Sequence, residues 1–349
     1  MKISSKRILT IGPEYMPPKG GVAQCVATYQ QTIYSNFRYL ANSCDGGSLR
    51  KAWKMAYSLI RMCCMLAFHH NIRIVHIHTA SYNSFKRSSL FVNVAKAMGR
   101  KVVLHIHGGG FKDYYMKEPR FVRSVLGKSD ALITLSDSWK SFFEDAALHG
   151  NVHIVPNIIP NPIEKRVDSD GKFHLLYMGQ ITKAKGVFDL VEIIVENKDY
   201  YKGKLILDIG GGMYDADKLR SVISDSKADD IVHFHGWLTG HAKAEMFNLA
   251  DAYILPSYVE GVPISILEAE SYGLPILSTN VGGIPDVVDE GKNGFLFSPG
   301  DKQEIKNAID TIMENRELRV SMSYHSRELS HVNFPTSVER SLIEVYRSL

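Results

Sequence analysis

The chain has 349 residues, 45% of them hydrophobic and 22% charged, a composition that excludes a disordered protein and predicts a folded one with two domains. Its formal net charge of +4 combines +13 in residues 1–165, from 22 Lys and Arg against 9 Asp and Glu, with −9 in residues 166–349, from 19 against 28. No apolar run approaches the ~18 residues that span a membrane, and the N-terminus has the pattern of a β-strand rather than a signal peptide, so we expect a cytoplasmic protein. The four cysteines lack metal-ligand spacing, which is typical of a reducing compartment.

Apolar strands alternate with amphipathic helices along almost the whole chain. In the first half the pattern predicts strands at residues 7–12, 73–79, 101–108, 131–136 and 152–157, and helices at 21–34, 51–68, 85–98 and 138–148. In the second half it predicts strands at 173–179, 204–211, 231–237, 252–257 and 275–280, with helices between them and a last helix within 334–349. Continuously apolar strands separated by helices indicate parallel sheets covered on both faces. We therefore predict an α/β fold with two Rossmann-like domains.

Candidate ligand-binding residues fall where the predicted strands end. In open parallel sheets ligands bind beyond the carboxyl ends of the strands, so two facing domains would form a cleft between those ends. The residues at or just past the ends are His78, His107, Ser136, Asn157, Gly179, Gly210, Gly236 and Pro256.

Lys183 and Lys185 lie in a predicted strand-to-helix loop, just before Gly186. A lysine beside a helix N-terminus can engage a pyrophosphate together with the free amides. A pair of loop lysines is more commonly solvated surface, so this pattern is weak by itself.

The stretch YVEGVPISILEAE contains Glu260 and Glu268, eight positions apart. Pro263 fits the first position of a helix, with the amide of Ile264 and its neighbour directed toward Gly261. In one continuous helix the two glutamates would be separated by about 12 Å, at ~1.5 Å per residue. A glycosidase needs its two carboxyls roughly 5–9.5 Å apart. An acid–nucleophile pair is therefore disfavoured, and two acceptors that grip one ligand are favoured.

Three His-x-His strings, at residues 76–78, 105–107 and 233–235, invite a metal interpretation. Each pair would face one side of a strand, so a cluster is sterically allowed. No carboxylate or cysteine completes a recognisable ligand set, and the third string lies in the other domain. We expect no metal site.

The basic first half predicts an anionic partner, either a membrane surface or a phosphorylated lipid. Residues 51–70 form a basic and apolar helix, whose favoured role is to cover the first sheet. The alternative is that Lys51, Lys54 and Arg61 meet anionic headgroups, with Lys112 adding to the patch. Nucleic acid is disfavoured because no aromatic-basic array stands out. A merely solvated basic face remains the other alternative.

The chain resembles the retaining glycosyltransferases of family 4, which have the GT-B fold, over nearly its whole length. The segments that carry the resemblance are PPKGGVAQ, LHIHGG, VPNII, MGQITKAKGV, FHGWL, DAYILPSYVEGVPISILEAESYGLPILSTNVGGIPDVV and GKNGFLF. EGVPISILEA is similar to the family's glutamate-x7-glutamate signature. The resemblance implies two Rossmann-like domains facing each other across a cleft. Residues 1–160 would bind the acceptor, residues 161–330 would bind the nucleotide sugar, and residues 331–349 would form a helix packing back toward the first domain.

The resemblance also implies roles for individual residues. Glu268 would accept hydrogen bonds from the nucleotide ribose, and Glu260 would hold a hydroxyl of the donor sugar. Lys185 matches the diphosphate-binding lysine, and His107 matches the histidine near the reacting carbon, so His107, Glu260 and Lys185 are the catalytic candidates. The remaining donor-binding candidates are Gly20 and Gly21, which would close over the phosphate, Gly179, Gln180, Lys183, Gly210, Gly236 and Pro256, and the backbone of Gly261, Val262, Pro263 and Ile264. Gln180 departs from the family, which usually has an arginine there, so one cation on the leaving diphosphate is missing.

The implied activity is a retaining, metal-independent transfer from a UDP- or GDP-sugar to a saccharide or polyprenyl-diphosphate-linked acceptor, without a cofactor. The implied setting is bacterial surface polysaccharide biosynthesis (O-antigen, capsule or exopolysaccharide) at the inner face of the cell membrane. A catalytically weak sugar-nucleotide-binding protein is one alternative, if Gln180 disables the leaving-group site. A starch- or sucrose-type synthase would share the signature. An NAD dehydrogenase would share the Rossmann domains but not the glutamate pair.

Overall fold

The computed structural model describes residues 2–18, 20–164, 170–212 and 214–349. The chain divides into two compact units. The first consists of Met1–Pro160 with Val332–Leu349, and the second of Asn161–His331.

The first unit is an α/β layer structure. Its strands are β1 (Ile3–Ser4), β2 (Ile8–Pro13), β3 (Tyr34–Ser35), β4 (Tyr39–Ser43), β5 (Ile74–Thr79), β6 (Lys101–Ile106), β7 (Ala131–Thr134) and β8 (Val152–Ile154). Its helices are α1 (Gly21–Thr28), α2 (Ser48–Phe68), α3 (Asn83–Ala97), α4 (Phe111–Lys117), α5 (Pro119–Leu126) and α6 (Asp137–Asp145). Six strands form one parallel sheet in the order β4-β2-β5-β6-β7-β8, and β1 pairs with β3.

The second unit repeats this architecture. Its strands are β9 (Phe173–Gln180), β10 (Leu205–Gly212), β11 (Val232–Gly236), β12 (Ala252–Leu255), β13 (Ile276–Thr279) and β14 (Gly294–Phe297). Its helices are α7 (Val187–Glu196), α8 (Lys198–Tyr201), α9 (Ala216–Asp225), α10 (Gly240–Leu249), α11 (Ile264–Ser271), α12 (Lys302–Glu314) and α13 (Arg316–Ser330). All six strands are parallel, in the order β11-β10-β9-β12-β13-β14. A last helix, α14 (Pro335–Arg347), belongs to the first unit.

The central strands are buried on both faces, which explains why their sequences are mostly apolar. In β12 and β13 every residue is buried, from Ala252 to Leu255 and from Ile276 to Thr279. The predicted two-domain α/β architecture therefore matches the structure, although individual elements differ. The first predicted helix, at 21–34, is α-helical only to Thr28 and continues as a π-helix over Tyr29–Ile33. Strands β4 and β14 and helices α4 and α5 are among the elements that were not predicted. The two helices have only seven and eight residues, which is too short to show the helical period clearly.

Candidate functional site

Helix α11 begins one residue later than the sequence predicted. Pro263 is the N-cap rather than the first helical residue, and its ψ of 123° is extended. Its carbonyl accepts hydrogen bonds from the amides of Ile266 and Leu267, at 3.2 and 3.4 Å. The first amides of α11, those of Ile264 and Ser265, have no acceptor within the helix because they belong to its first turn.

Glu260 lies in the loop between β12 and α11, with 9% of its side chain exposed. Its Oε1 accepts hydrogen bonds from the ammonium of Lys185, at 2.5 Å, and from the hydroxyl of Ser257, at 2.9 Å. Lys185 ends a short 3-10 helix, Lys183–Lys185, directly before α7. The structure therefore brings together two of the three predicted catalytic residues.

Two glycines hold the Glu260 loop by close backbone contact. At Gly186, with φ of +67°, an added Cβ would lie 2.0 Å from the carbonyl oxygen of Pro256. At Gly282, with φ of +61°, it would lie 1.9 Å from the carbonyl oxygen of Glu260. Only glycine fits both the left-handed backbone and the contact. These positions fix the path of the loop, and hence the place of the Glu260 carboxylate.

Glu268, in the second turn of α11, is paired with a lysine that the sequence analysis missed. The ammonium of Lys243 donates to both of its carboxylate oxygens, at 2.7 and 2.6 Å. The Glu268 side chain is 9% exposed and that of Lys243 is 22% exposed. Lys243 lies in α10, four residues after Thr239 caps that helix. Each predicted glutamate therefore has its own lysine in the second unit.

The other predicted donor-binding residues of this unit lie at the carboxyl ends of β9, β10 and β11. Gly179 and Gln180 end β9, Gly210 lies near the end of β10, and Gly236 ends β11 with φ of +72°. An added Cβ on Gly210 would lie 2.4 Å from the Met178 sulfur, so this glycine also has a packing role.

Lys183 is exposed, unlike its partly buried neighbour Lys185. Val262, Pro263 and Ile264 are buried, and the carbonyl of Gly261 accepts from the amide of Gly283 at 2.8 Å.

In the first unit, His107 is held from both ring nitrogens. Its Nδ1 lies 3.1 Å from Oδ1 of Asn157, and its Nε2 lies 2.9 Å from Nδ1 of His78. Burial lowers the pKa of His107 to about 4, against a smaller upward effect of the Asn157 hydrogen bond. The imidazole is therefore neutral at pH 7. Gly20, with φ of +107°, caps the N-terminus of α1, and Gly21 is its first residue.

His107 belongs to a stack of four histidines on β5, β6 and the residue after β6. Nε2 of His76 lies 3.3 Å from Nδ1 of His105, and Nδ1 of His76 lies 2.6 Å from the hydroxyl of Tyr346 in α14. Burial lowers the pKa of His76 to about 3, and also lowers the pKa values of His78 and His105. The whole stack is consequently uncharged at neutral pH.

The expectation that no carboxylate completes a metal-ligand set is wrong for the third His-x-His string. Asp208 in β10 is 4% exposed, and its Oδ1 lies 2.7 Å from Nε2 of His235 and 3.7 Å from Nδ1 of His233. Its Oδ2 lies 2.9 Å from Nδ1 of His174. Burial raises the pKa of Asp208, but hydrogen bonds from His174 and His235 outweigh it and bring the pKa to about 2.

Helix α2 packs on the first sheet with one narrow face and presents another apolar face outward. Ser58, Met62 and Leu66 are its buried residues, and the Ser58 hydroxyl donates to the carbonyl of Ala41 at 2.6 Å. The outward face, which we call the α2 stripe, carries Leu49, Trp53, Tyr57, Ile60 and Phe68, all at least 55% exposed. Nothing in the sequence distinguishes this stripe from the buried face, because its residues are at least as apolar as the buried ones.

The predicted basic patch lies partly beside the α2 stripe. Lys51 and Arg61 are exposed and Lys54 is partly exposed. The ammonium of Lys112, in α4, lies over the rings of Trp139 and Phe142, at 5.2 and 5.5 Å from their centres. In the part of the chain that the structure describes, none of the helices combines the length and apolar character of a membrane span.

Comparisons with known proteins find similarity to one family model over the second unit. Residues 160–329 match the family model described as "Glycosyl transferases group 1". Sulfoquinovosyl transferase SQD2 of Arabidopsis thaliana is 32% identical over 157 residues, which cover 44% of this chain and 29% of that protein. The chain thus spans less than a third of that relative's length. The putative colanic acid biosynthesis glycosyltransferase WcaL of Escherichia coli K12 is 21% identical, and the match covers 95% of this chain and 84% of that one.

A solved structure shows the same fold. Anabaena HepE in complex with UDP superposes with a TM-score of 0.74 at 17% identity, with 100% of both chains covered. The two parallel-sheet α/β units therefore have the architecture of GT-B glycosyltransferases, and the predicted fold class is confirmed. The family match covers just under half of the chain and falls almost wholly within the second unit.

Proposed function

We propose that the protein is a retaining glycosyltransferase of family 4 that uses a nucleoside-diphosphate sugar as donor. The observation that carries this proposal is the pair of buried carboxylates, Glu260 and Glu268, each hydrogen-bonded to a lysine within the family-matched second unit. A buried ion pair is by itself weak evidence of a contribution to stability, so we assign the oxygens of these carboxylates to ligand binding. The spacing of the two is the one that the family signature has.

In this proposal the second unit binds the donor. Glu268 accepts hydrogen bonds from the ribose hydroxyls, and Glu260 from a hydroxyl of the sugar. The diphosphate contacts Lys185, the amides at the start of α11 and the glycine-rich ends of β9, β10 and β11. Lys183 is exposed and lies two residues from Lys185. It supplies the second cation on the diphosphate, in place of the arginine that the family usually has at position 180.

The chemical step needs stabilisation of charge on the leaving group. Breaking the bond to the anomeric carbon develops negative charge on the diphosphate and positive charge on the sugar. The ammonium of Lys185 is positioned by its 2.5 Å contact with Glu260, so little reorganisation is required when that charge develops. We propose a substitution on the same face, assisted by the leaving phosphate. Because lysine and amides supply the positive charge, the step is proposed to be independent of metal.

We further propose that His107 acts as a neutral hydrogen-bonding group in transfer. Its pKa of about 4 rules out a protonated imidazole at neutral pH. Asn157 and His78 fix the orientation of its ring. Gly20 and Gly21, at the N-terminus of α1, are proposed to approach the phosphate through their backbone.

The acceptor is proposed to be a saccharide or a polyprenyl-diphosphate-linked saccharide, met at an anionic membrane surface. Between Asp45 and Asp113 the sequence has no Asp or Glu, but it has 11 Lys and Arg. The α2 stripe lies within this segment, and exposed aromatic and aliphatic side chains beside cations are typical of helices that lie in the headgroup region. This refines the predicted basic patch, because apolar insertion now accompanies the attraction of Lys51, Lys54 and Arg61 to lipid. Surface polysaccharide assembly at the inner face of the cell membrane is the proposed setting.

Titration with UDP-, GDP- and ADP-sugars, and with NAD, tests the donor. Thermal shift reports binding, and release of free nucleoside diphosphate reports hydrolysis or transfer. We expect the sugar nucleotides of one base to raise the melting temperature. We also expect them to be hydrolysed slowly when no acceptor is present. Binding without any turnover would favour the sugar-nucleotide-binding alternative, an ADP-glucose preference would favour a starch-type synthase, and stabilisation by NAD alone would exclude a glycosyltransferase.

A further inference from the structure

Asp208 lies in the middle of β10, where a carboxylate is unusual. It is 4% exposed, and acidic side chains are almost never so buried unless they are paired or bind a metal. Directly beside it, in register, is His233 of the edge strand β11. The two side chains therefore project from the same face of the sheet.

A bulge in β11 brings a second imidazole to the same carboxylate. Ile209 pairs with Phe234 and Gly210 pairs with Gly236, so His235 is the additional residue of the edge strand. Bulges commonly redirect a side chain next to a functional position. Here Nε2 of His235 lies 2.7 Å from Oδ1 of Asp208. The rings of His233 and His235 are nearly perpendicular, at 88°, so that different ring nitrogens converge on one oxygen.

The three ligand atoms have the spacing that a metal ion requires. Asp208, His233 and His235 each offer one ligand atom, and these three atoms lie within 4.8 Å of one another. Ligand atoms around a tetrahedral ion with bonds of about 2.0–2.2 Å are roughly 3.3 Å apart. The observed separations from Oδ1, 2.7 and 3.7 Å, lie on either side of that value. Small rotations of the two imidazoles would place an ion between the three atoms.

The surroundings also fit a metal ion. The side chains of His233 and His235 are 41% and 30% exposed, which leaves a path for an ion and open positions for water. Nδ1 of His174 contacts the other carboxylate oxygen at 2.9 Å, and its Nε2 contacts Asp170 at 3.3 Å. Such outer hydrogen bonds orient the ligands of metal sites.

The buried stack in the first unit offers a contrast. Ring nitrogens of His76, His78 and His105 also lie within 4.8 Å of one another. That group contains no carboxylate, and all three residues are at most 1% exposed. A divalent ion there would be a buried charge without compensation, which is costly.

We propose that Asp208, His233 and His235 bind a divalent transition-metal ion, with His174 as the residue that positions the carboxylate. Two imidazoles and one carboxylate are ligands for Zn²⁺, Fe²⁺, Co²⁺ or Ni²⁺ and leave further coordination positions open. The ion links the edge strand β11 to β10. None of the four residues is assigned to the donor, but His235 directly precedes Gly236, one of the proposed donor-binding glycines.

The test is isothermal titration of the full chain, freed of metal with EDTA, with ZnCl₂ alone. We expect one ion per chain with a Kd below about 1 µM, and an increased melting temperature on binding. His233→Ala and His235→Ala should each weaken binding by about 100-fold or more, and His174→Ala by about 10–100-fold. His241→Ala, which changes an exposed histidine of α10, is the matched control and should bind as the parent does.

Because both ligand histidines are partly exposed, their alanine variants are expected to fold, which circular dichroism checks. Absence of Zn²⁺ binding to the parent chain, or unchanged affinity in the His233→Ala/His235→Ala double variant, would overturn the proposal. UDP binding to the metal-free chain is measured in parallel. Retained UDP binding with no Zn²⁺ binding would refute the metal site alone.

Discussion

Lys243 donates from one ammonium to both carboxylate oxygens of Glu268, at 2.7 and 2.6 Å, across 25 positions of sequence. The pair joins α10 to α11 and holds the carboxylate in one orientation, because a bidentate contact restricts rotation about the terminal bond. Each carboxylate oxygen has a further lone pair, so a ribose hydroxyl can donate to Glu268 without displacing the lysine. Lys243 is thus a positioning residue in the proposed donor site.

The two glutamates should differ in what they bind. Glu268→Ala should weaken binding of free UDP or GDP by at least tenfold, because it removes the proposed ribose contact. Glu260→Ala should leave free nucleotide affinity within about threefold and should lower kcat with the nucleotide sugar. Calorimetry and single-turnover kinetics measure the two effects. Glu245→Ala, on the exposed side of α10, is the control. Equal losses of nucleotide affinity in both variants would contradict the division of roles.

Gly282→Ala should disrupt the Glu260 loop. The new Cβ would meet the carbonyl oxygen of Glu260 at 1.9 Å, in addition to the ~1–2 kcal/mol that a left-handed backbone costs an L-residue. Gly291→Ala is a matched control, since its φ is +74° and its Cβ meets nothing within 4 Å. We expect Gly282→Ala to lower the free energy of unfolding, measured in urea, by at least ~2 kcal/mol more than Gly291→Ala. Similar losses would show that the contact can relax.

Gln180→Arg should strengthen the diphosphate site. The substitution adds a cation at the end of β9, where the resembling family usually has arginine, and a charged donor bonds phosphate more strongly than an amide does. We expect several-fold tighter binding of UDP or GDP and faster transfer, both reduced by salt. Lys183→Met should act in the opposite direction. If Gln180→Arg leaves nucleotide affinity and rate unchanged, position 180 does not contact the diphosphate.

The histidine stack should make the first unit sensitive to acid. Its imidazoles have lowered pKa values in the folded chain, about 3 for His76 and about 4 for His107, against 6.5 when unperturbed. Between the folded and the unfolded pKa values, the unfolded chain binds more protons than the folded chain does. The contribution of the neutral imidazoles to stability is therefore fully present above pH 6.5 and is lost as the pH falls toward 4. Urea unfolding at pH 7.5 and 5.0 measures the loss. His105→Leu removes one such imidazole at similar volume. The free energy of unfolding of this variant should depend less steeply on pH than that of the parent. An unchanged slope in His105→Leu would refute this origin.

The α2 stripe should insert into anionic membranes. Trp53→Ser with Ile60→Ser should lower binding to vesicles of phosphatidylglycerol and phosphatidylcholine by about tenfold or more, since each buried apolar side chain contributes roughly 1.5–3 kcal/mol. Val320→Ser with Tyr324→Ser is the control, because these α13 residues are also well exposed, at 64 and 63% against 77 and 66% for Trp53 and Ile60. Lys51→Glu with Lys54→Glu should weaken binding chiefly at low salt. Equal binding of the stripe variant and the parent would exclude apolar insertion.

The sequence predicted the sheets well and the site only in part. Strand β12 consists of apolar residues and β13 begins with them, so the sequence identifies both strands directly. Glu260 and Lys185 were identified by resemblance, and the structure adds that they touch. Lys243 was missed because nothing in the spacing of α10 and α11 shows which faces meet. Asp208 was missed as a partner of His235 because the bulge that joins them belongs to the neighbouring strand.

The return of the chain to the first unit after His331 makes the second unit an insertion within the first. In α14, the hydroxyl of Tyr346 contacts both the Tyr34 hydroxyl, at 2.5 Å, and Nδ1 of His76. During synthesis these partners emerge more than 250 residues before Tyr346 does. The first unit therefore completes its core only after residue 346 has been synthesised, and removal of residues 332–349 would take away the hydroxyl that contacts His76 of the histidine stack.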